Sequence, residues 1–203
     1  MGYKTLIESG EALLIVKRSR FIARSMNATD ELRALSKIAE IKKKHYDASH
    51  NVYAYVIREG NIVRSSDDGE PSGTSGASVL SVITGEGLVD TLVVVTRYFG
   101  GTLLGAGGLS RAYGQAAKMS IENAKTALFT LCSVYTATVS YHDWGNLQKV
   151  TQKFGGNVTA EFTDNITCRI SLPRDVEPAF LNEFYELFNR RIEINKIGEE
   201  FVG

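Results

Sequence analysis

The sequence predicts an α+β protein built from two domains. Three observations carry this prediction. Beyond Thr130 the residue pattern runs β-α-β-β-α-β, the order of a ferredoxin-like domain. Before Thr130, Leu92 to Val95 is an unbroken apolar run of the kind found in strands buried on both faces, which requires covering helices. A chain of 203 residues is long enough for one large core or two small ones. The boundary is expected near Leu128 to Val134, dividing 1–130 from 131–203, although no Pro/Gly linker marks it.

The elements follow in order. Leu13 to Val16 and Phe21 to Ala23 flank the basic turn Lys17-Arg18-Ser19-Arg20 and read as a hairpin. Thr29-Asp30-Glu31 supplies a helix cap, and Leu32, Leu35, Ile38, Ala39 and Ile41 recur at helical spacing as far as Lys42-Lys43-Lys44, whose charges suit a helix C-terminus. Val52 to Ile57 is rich in β-formers, Glu59-Gly60-Asn61 turns the chain, and Ile62-Val63 begins a return strand. Ala77 to Ile83 suits a short helix, and Leu109, Ala112, Tyr113, Ala116 and Ala117 form the apolar side of a longer one, with Arg111 on the opposite side. In the second half, strands are expected over 134–141, 158–162, 166–172 and 192–201, and helices over 144–154 and 176–188.

With 43% hydrophobic and 23% charged residues, the composition is that of a soluble globular protein. No apolar run of about 18 residues is present, and Met1-Gly2-Tyr3-Lys4 lacks the start of a signal peptide, so no membrane partner and a cytoplasmic location are expected. Cys132 and Cys168 sit among apolar or β-branched neighbours and read as reduced core thiols. The 23 basic residues balance 23 acidic ones, which excludes whole-chain charge as a grip on nucleic acid. Distribution matters more, because Lys17, Arg18, Arg20 and Arg24 form one basic run.

Function is expected between Asp67 and Gly114, where eleven of the 19 glycines lie and backbone is open to close approach. The segment Arg97-Tyr98-Phe99-Gly100-Gly101-Thr102-Leu103-Leu104-Gly105-Ala106-Gly107-Gly108-Leu109-Ser110-Arg111 joins a buried strand to a helix, so its backbone N–H groups and the helix dipole can meet an anion. Arg97 and Arg111 bracket the loop, and paired guanidinium forks suit phosphate or carboxylate. The alternative is that the glycines serve packing and the arginines pair with Asp67, Asp68 or Glu70. The glycine spacing matches neither the P-loop nor the dinucleotide fingerprint, and no cofactor is expected. Asp67, Asp68 and Glu70 read as a solvated acidic turn rather than a metal site. Ser72, Thr74 and Ser75 carry hydroxyls without an assigned base, and His50 is the best placed of three histidines.

The runs Asp67-Asp68-Gly69-Glu70-Pro71-Ser72-Gly73-Thr74-Ser75-Gly76 and Val93 to Gly114, with Lys17 to Ala23 and His50 to Tyr55, resemble the Impact family in its bacterial YigZ-like form. The resemblance implies an N-terminal α/β sandwich like domain two of ribosomal protein S-five, followed by a ferredoxin-like domain similar to the last domain of elongation factor G. It carries over Arg97, Tyr98, Gly100, Gly101, Gly105, Gly107, Gly108 and Arg111, and Asp67, Asp68, Gly69, Glu70, Pro71, Gly73, Thr74 and Gly76, as signature positions. Ser78 departs from the family's usual proline and is expected to loosen a helix start. The resemblance implies a link to translation, and the leading reading is a non-enzymatic, translation-associated protein that docks on RNA, the ribosome or a ribosome-linked protein. Arg97, Arg111, Lys17, Arg18 and Arg20 are the expected contacts, together with Tyr98, His50, Asp67, Asp68, Glu70, Ser72 and Thr74. The competing reading is a small-molecule-kinase-like enzyme with phosphate on the Gly105 to Ser110 loop and Mg²⁺ or base chemistry at Asp67 or Asp68.

Overall fold

A computed structural model describes residues 2–203, which divide into a unit of Tyr3–Leu128 and a unit of Phe129–Gly203 with Gly2. The first unit contains β1 (Gly2–Glu8), β2 (Gly10–Val16), β3 (Ser19–Asn27), α1 (Glu31–Lys44), β4 (His50–Ile57), β5 (Ile62–Ser66), α2 (Gly76–Gly85), β6 (Thr91–Tyr98) and α3 (Ala106–Glu122). Strand β1 was not anticipated, because its short alternation offers little periodic signal. The sheet order is β2-β3-β6-β4-β5, antiparallel throughout.

Alternation along β6 explains the layering. Val93 and Val95 pack with Phe21, Val52, Val79, Ile83, Leu109 and Tyr113 beneath α2 and α3. Leu92 and Val94 pack with Ala34, Ile38, Ile41 and Tyr55 against α1. Helices therefore cover both faces of the central strand, as the run Leu92 to Val95 predicted. Asp30 caps α1 by accepting from the Arg33 N–H at 2.8 Å, and Lys42 to Lys44 occupy the last turn, where they complement the dipole. Ser78 lies in the first turn of α2. Its hydroxyl donates to the Thr74 carbonyl at 2.9 Å and shares a 2.6 Å hydrogen bond with Ser110, tying the first turns of α2 and α3 together.

The second unit takes most of β7 (Lys125–Val139), then α4 (Tyr141–Lys153), β8 (Asn157–Phe162), β9 (Ile166–Pro173), α5 (Glu177–Leu187) and β10 (Ile194–Val202). Its strands lie in the order β10-β7-β9-β8, all antiparallel, which is the ferredoxin-like arrangement. Phe180, Phe184 and Phe188 of α5 and the turn after it are buried with Ile166, Ile170 and Leu172 of β9. The division falls inside β7, which explains why no Pro/Gly linker is visible in the sequence. Cys132 and Cys168 are buried and unbonded, and burial pushes the Cys168 thiol up to about 11. Among the described residues, no helix is long and apolar enough to cross a membrane.

Candidate functional site

Strand register builds the floor of a cleft in the first unit. Arg97 of β6 lies directly opposite Phe21 of β3 and His50 of β4, so the three side chains form one row on the face beneath α2 and α3. The segment Gly69-Glu70-Pro71 forms one wall, and Phe99 to Leu109 forms the other. The enclosed volume is about 490 Å³, lined by Ser49, His50, Gly69, Glu70, Pro71, Arg97, Phe99, Leu103, Leu104, Gly105, Ala106 and Leu109. Leu103 is 82% exposed and Phe99 48%, so an apolar rim stands open to solvent.

Arg97 does not bracket an open cradle. It is only 5% exposed, and its Nη1 donates to Glu70 Oε1 at 2.7 Å. Tyr113 Oη donates to the same oxygen at 2.8 Å, and burial, then the bond to Glu70, raises the phenol's pKa. Arg97 Nη2 reaches Ser19 Oγ at 3.4 Å, while Nε–H is buried with no partner. The expectation that Arg97 and Arg111 together bracket the loop for an anion is thus corrected for Arg97, which pairs with Glu70 as the alternative reading had it. A cation at the end of a fully buried strand needs an internal counter-ion, and Glu70 provides it. Arg111 is exposed on α3, as its position opposite the apolar stripe requires.

His50 Nδ1 lies 2.9 Å from the Asp68 carbonyl, which can only accept, so Nδ1 carries the proton. In the neutral ring the Nε2 lone pair is left on the cleft side, 3.9 Å from Glu70 Oε1. Opposite, α3 begins at Gly105, whose φ of 72° is a left-handed conformation that glycine adopts without strain. No side chain caps this helix, so its first N–H groups remain available to a ligand.

The acidic turn does not converge on one point. Asp67 accepts from the backbone N–H groups of Gly73, Ser75 and Gly76 at 2.8, 2.9 and 2.8 Å, which closes the loop before α2. Asp68 accepts from Lys42 Nζ at 2.5 Å and from the Asn51 N–H at 2.7 Å. Glu70 serves Arg97 and Tyr113. Among the described residues no group of three or more His, Cys, Asp or Glu is placed to hold a metal. Burial alone would raise the Asp67 pKa, but the Gly76, Gly73 and Ser75 N–H groups outweigh it and hold the carboxyl below its usual range. Asp68 is also lowered, its burial outweighed by Lys42 and the Asn51 N–H. A carboxylate whose folded pKa lies below the unfolded value of about 3.9 stabilises the fold above that value and loses the contribution as pH falls through the folded pKa. Asp67→Asn is therefore expected to be less stable than wild type at neutral pH but to lose less on acidification from pH 6 to pH 3. Calorimetric melting across that range checks this, and parallel pH profiles would contradict it.

The remaining expected residues separate. Tyr98 points to the α1 face, away from the cleft. Arg24 Nη1 can only donate to His45 Nε2 at 2.9 Å, so His45 Nδ1–H donates to Tyr98 Oη at 2.9 Å, and Tyr98 donates to Asp47 at 3.1 Å. Arg20 lies over the Tyr98 ring at 4.7 Å. Ser72 is exposed, and the Thr74 hydroxyl donates to the Pro71 carbonyl at 2.6 Å, so neither faces a reacting group. Gly100 meets this chain's own backbone, since an added Cβ would lie 2.1 Å from Arg18 C. Gly101 and Gly107 have open space around them, and Gly108 lies against Leu104. Lys17 and Arg18 form the two central residues of the β2–β3 hairpin, with φ of 45° and 66°. Lys17 and Arg111 line a second, smaller hollow of about 260 Å³ beside Leu104 and Gly108.

Sequence reasoning passed over Leu103 and Leu104 as site residues and left Tyr113 as core. The signal for the first two was an apolar pair inside a glycine-rich loop; Tyr113 gave none, because its partner Glu70 is 43 residues away.

The Impact N-terminal domain matches residues 17–121, which span the hairpin, the cleft and most of α3. The chain belongs to the Impact family. It is 41% identical over 148 residues to the IMPACT family member YvyE of Bacillus subtilis, covering 72% of this chain and 68% of that protein. It is 32% identical over 163 residues to the IMPACT family member YigZ of Escherichia coli, covering 78% and 79%. A solved structure described as a hypothetical protein covers 98% of both chains with a TM-score of 0.62 and 26% identity. Both Impact relatives extend past the N-terminal domain, and the solved structure spans both units.

Proposed function

We propose that this Impact-family protein is a translation-associated binding protein that docks on structured RNA through a basic surface at the hairpin end of the first unit. The observation that carries the reading is a group of cations without counter-ions. Lys17, Arg18, Arg20 and Arg111 are all exposed, and among the described residues none has a carboxylate within 4.0 Å, whereas Arg24, Arg33, Lys42 and Arg58 of the same unit are ion-paired. Lys17 and Arg18 also hold left-handed backbone at a two-residue turn where Asn-Gly is the comfortable choice. Each such residue costs about 1–2 kcal/mol, and retaining two long cations there favours a binding role over turn stability.

Phosphate contacts give affinity that falls with salt, so binding to ribosomes or structured RNA is to be measured across ionic strength. Replacing Lys17, Arg18 and Arg111 by glutamine is expected to reduce the slope of log affinity against log salt by about one for each phosphate no longer neutralised. Undetectable RNA binding at low salt, or an unchanged slope in the triple variant, would overturn the reading. The kinase-like alternative gains no support from geometry. Asp67 and Asp68 are absent from the cleft lining and satisfied by backbone and Lys42, and no lysine enters the glycine loop.

A further inference from the structure

The cleft between Glu70 and the start of α3 is a different surface from the basic hairpin end, and its chemistry is different. Three complementary features line it. At one wall, the uncapped N-terminus of α3 offers backbone donors and about half a positive charge. At the other, Glu70 is 8% exposed and accepts both of its side-chain hydrogen bonds at Oε1; Oε2 has no hydrogen-bond partner among the described residues. His50 adds the Nε2 lone pair on the same side. The rim is apolar, formed by Phe99, Leu103 and Leu104.

One polar group of this ion pair faces the cleft without a partner: Glu70 Oε2, an acceptor, since both hydrogen bonds to the carboxylate fall on Oε1. Polar atoms in largely buried side chains normally find partners, so an unpartnered carboxylate oxygen on a residue lining an open cleft points to a ligand that donates to it. The charge balance narrows the ligand. Arg97 and Glu70 neutralise one another, which leaves a weak positive end at α3 facing acceptor groups across the cleft. A dianionic phosphate would meet Glu70 with too little opposing charge. A zwitterion matches both ends.

We propose that this cleft binds a small zwitterion with an apolar side chain, an apolar amino acid or short peptide. The α-carboxylate sits at the uncapped start of α3, where Gly105 and Ala106 line the cleft, the α-ammonium donates to Glu70 Oε2 and His50 Nε2, and the side chain lies on Phe99, Leu103 and Leu104. The volume of about 490 Å³ lies within the range of small-molecule pockets and leaves room for a second residue.

The test is amide NMR of the full chain, following Gly105 and Ala106, with the His50 ring protons observed in parallel. The probes are L-leucine, leucyl-leucine, isovalerate, isoamylamine and inorganic phosphate. Saturable shifts are expected with leucine or leucyl-leucine, and binding of isovalerate and isoamylamine about tenfold weaker or worse. Tighter binding of leucyl-leucine than of leucine assigns the site to peptides, and the reverse assigns it to free amino acids; either result supports the proposal. Absence of saturation with both zwitterions at millimolar concentration overturns it, as does phosphate or a single-ended analogue binding equally well. Because Glu70 variants are expected to lose much of their stability with the buried ion pair, Leu103→Asp and His50→Ala serve as the variants. Each is expected to weaken the zwitterion at least about tenfold while remaining folded, with a modest drop in melting temperature for His50→Ala, which loses the hydrogen bond to the Asp68 carbonyl. Unchanged affinity in both, with the fold intact, overturns the assignment. RNA binding is read separately in the same variants, and is expected to persist, since neither residue belongs to the basic group.

Discussion

Arg97→Ala is expected to destabilise the protein by about 3–5 kcal/mol, because it strands Glu70 as an unpaired buried carboxylate. The pair is nearly closed to water, with side-chain exposures of 6% and 3% and a separation of 2.7 Å. Arg97 also lies 5.5 Å from the Phe21 ring centroid and 5.4 Å from that of Phe99, so truncation removes packing as well as charge. Glu70→Ala is expected to cost a similar amount for the opposite reason, a buried guanidinium without its counter-ion and a Tyr113 hydroxyl without its acceptor. The double variant Arg97→Met/Glu70→Leu removes both charges and is expected to recover most of the loss, since replacing a whole buried pair with apolar residues is often close to neutral. Denaturant unfolding of the two single variants and the double closes the cycle. A loss below about 1 kcal/mol for Arg97→Ala would show that the pair behaves as a solvated surface bridge.

Gly100→Ala is expected to cost about 1–3 kcal/mol, the range for forcing extra atoms into a packed site. An ideal Cβ at Gly100 would lie 2.1 Å from Arg18 C, 2.3 Å from Ser19 N and 2.4 Å from Arg18 O. All three are backbone atoms, so no side chain can rotate away and the hairpin turn must move. The consequence reaches function, because that turn carries Lys17 and Arg18. RNA affinity is expected to fall together with stability in Gly100→Ala. Gly107→Ala, where a Cβ meets nothing within 4 Å, is expected to leave stability within about 0.5 kcal/mol. Melting curves and the salt titration on both variants check the contrast. Equal losses at the two positions would mean that the loop and hairpin are not held by this contact.

These predictions mark where reading the chain succeeded and where it did not. Order and type were legible for all helices and for nine strands, because each depends on a short repeat: apolar spacing for α3, a β-rich run for β4, a basic turn between two apolar runs for the hairpin. The glycine-rich segments were legible as a place of unusual backbone. Their division of labour was not. Gly100 serves a contact within the chain, Gly105 opens a helix, and Gly107 faces open space, three roles that one letter in a sequence cannot separate. The signature Arg97-Tyr98 was legible as a motif, yet adjacent residues of a strand face opposite sides, so Arg97 enters the cleft floor while Tyr98 joins His45 and Asp47 under α1.

Local periodicity by itself determined every element but β1 and the two-part α+β organisation, because repeats of about two and 3.6 residues need no knowledge of distant partners; the resemblance to the Impact family came from the motif residues of 67–76 and 93–114. Tertiary structure alone decided which charges are free. Glu70 meets Arg97 across 27 residues and Tyr113 across 43, while Lys17, Arg18 and Arg111 meet no carboxylate among the described residues. An ion pair forms by spatial proximity and shared desolvation, and neither quantity is written in the spacing along a chain.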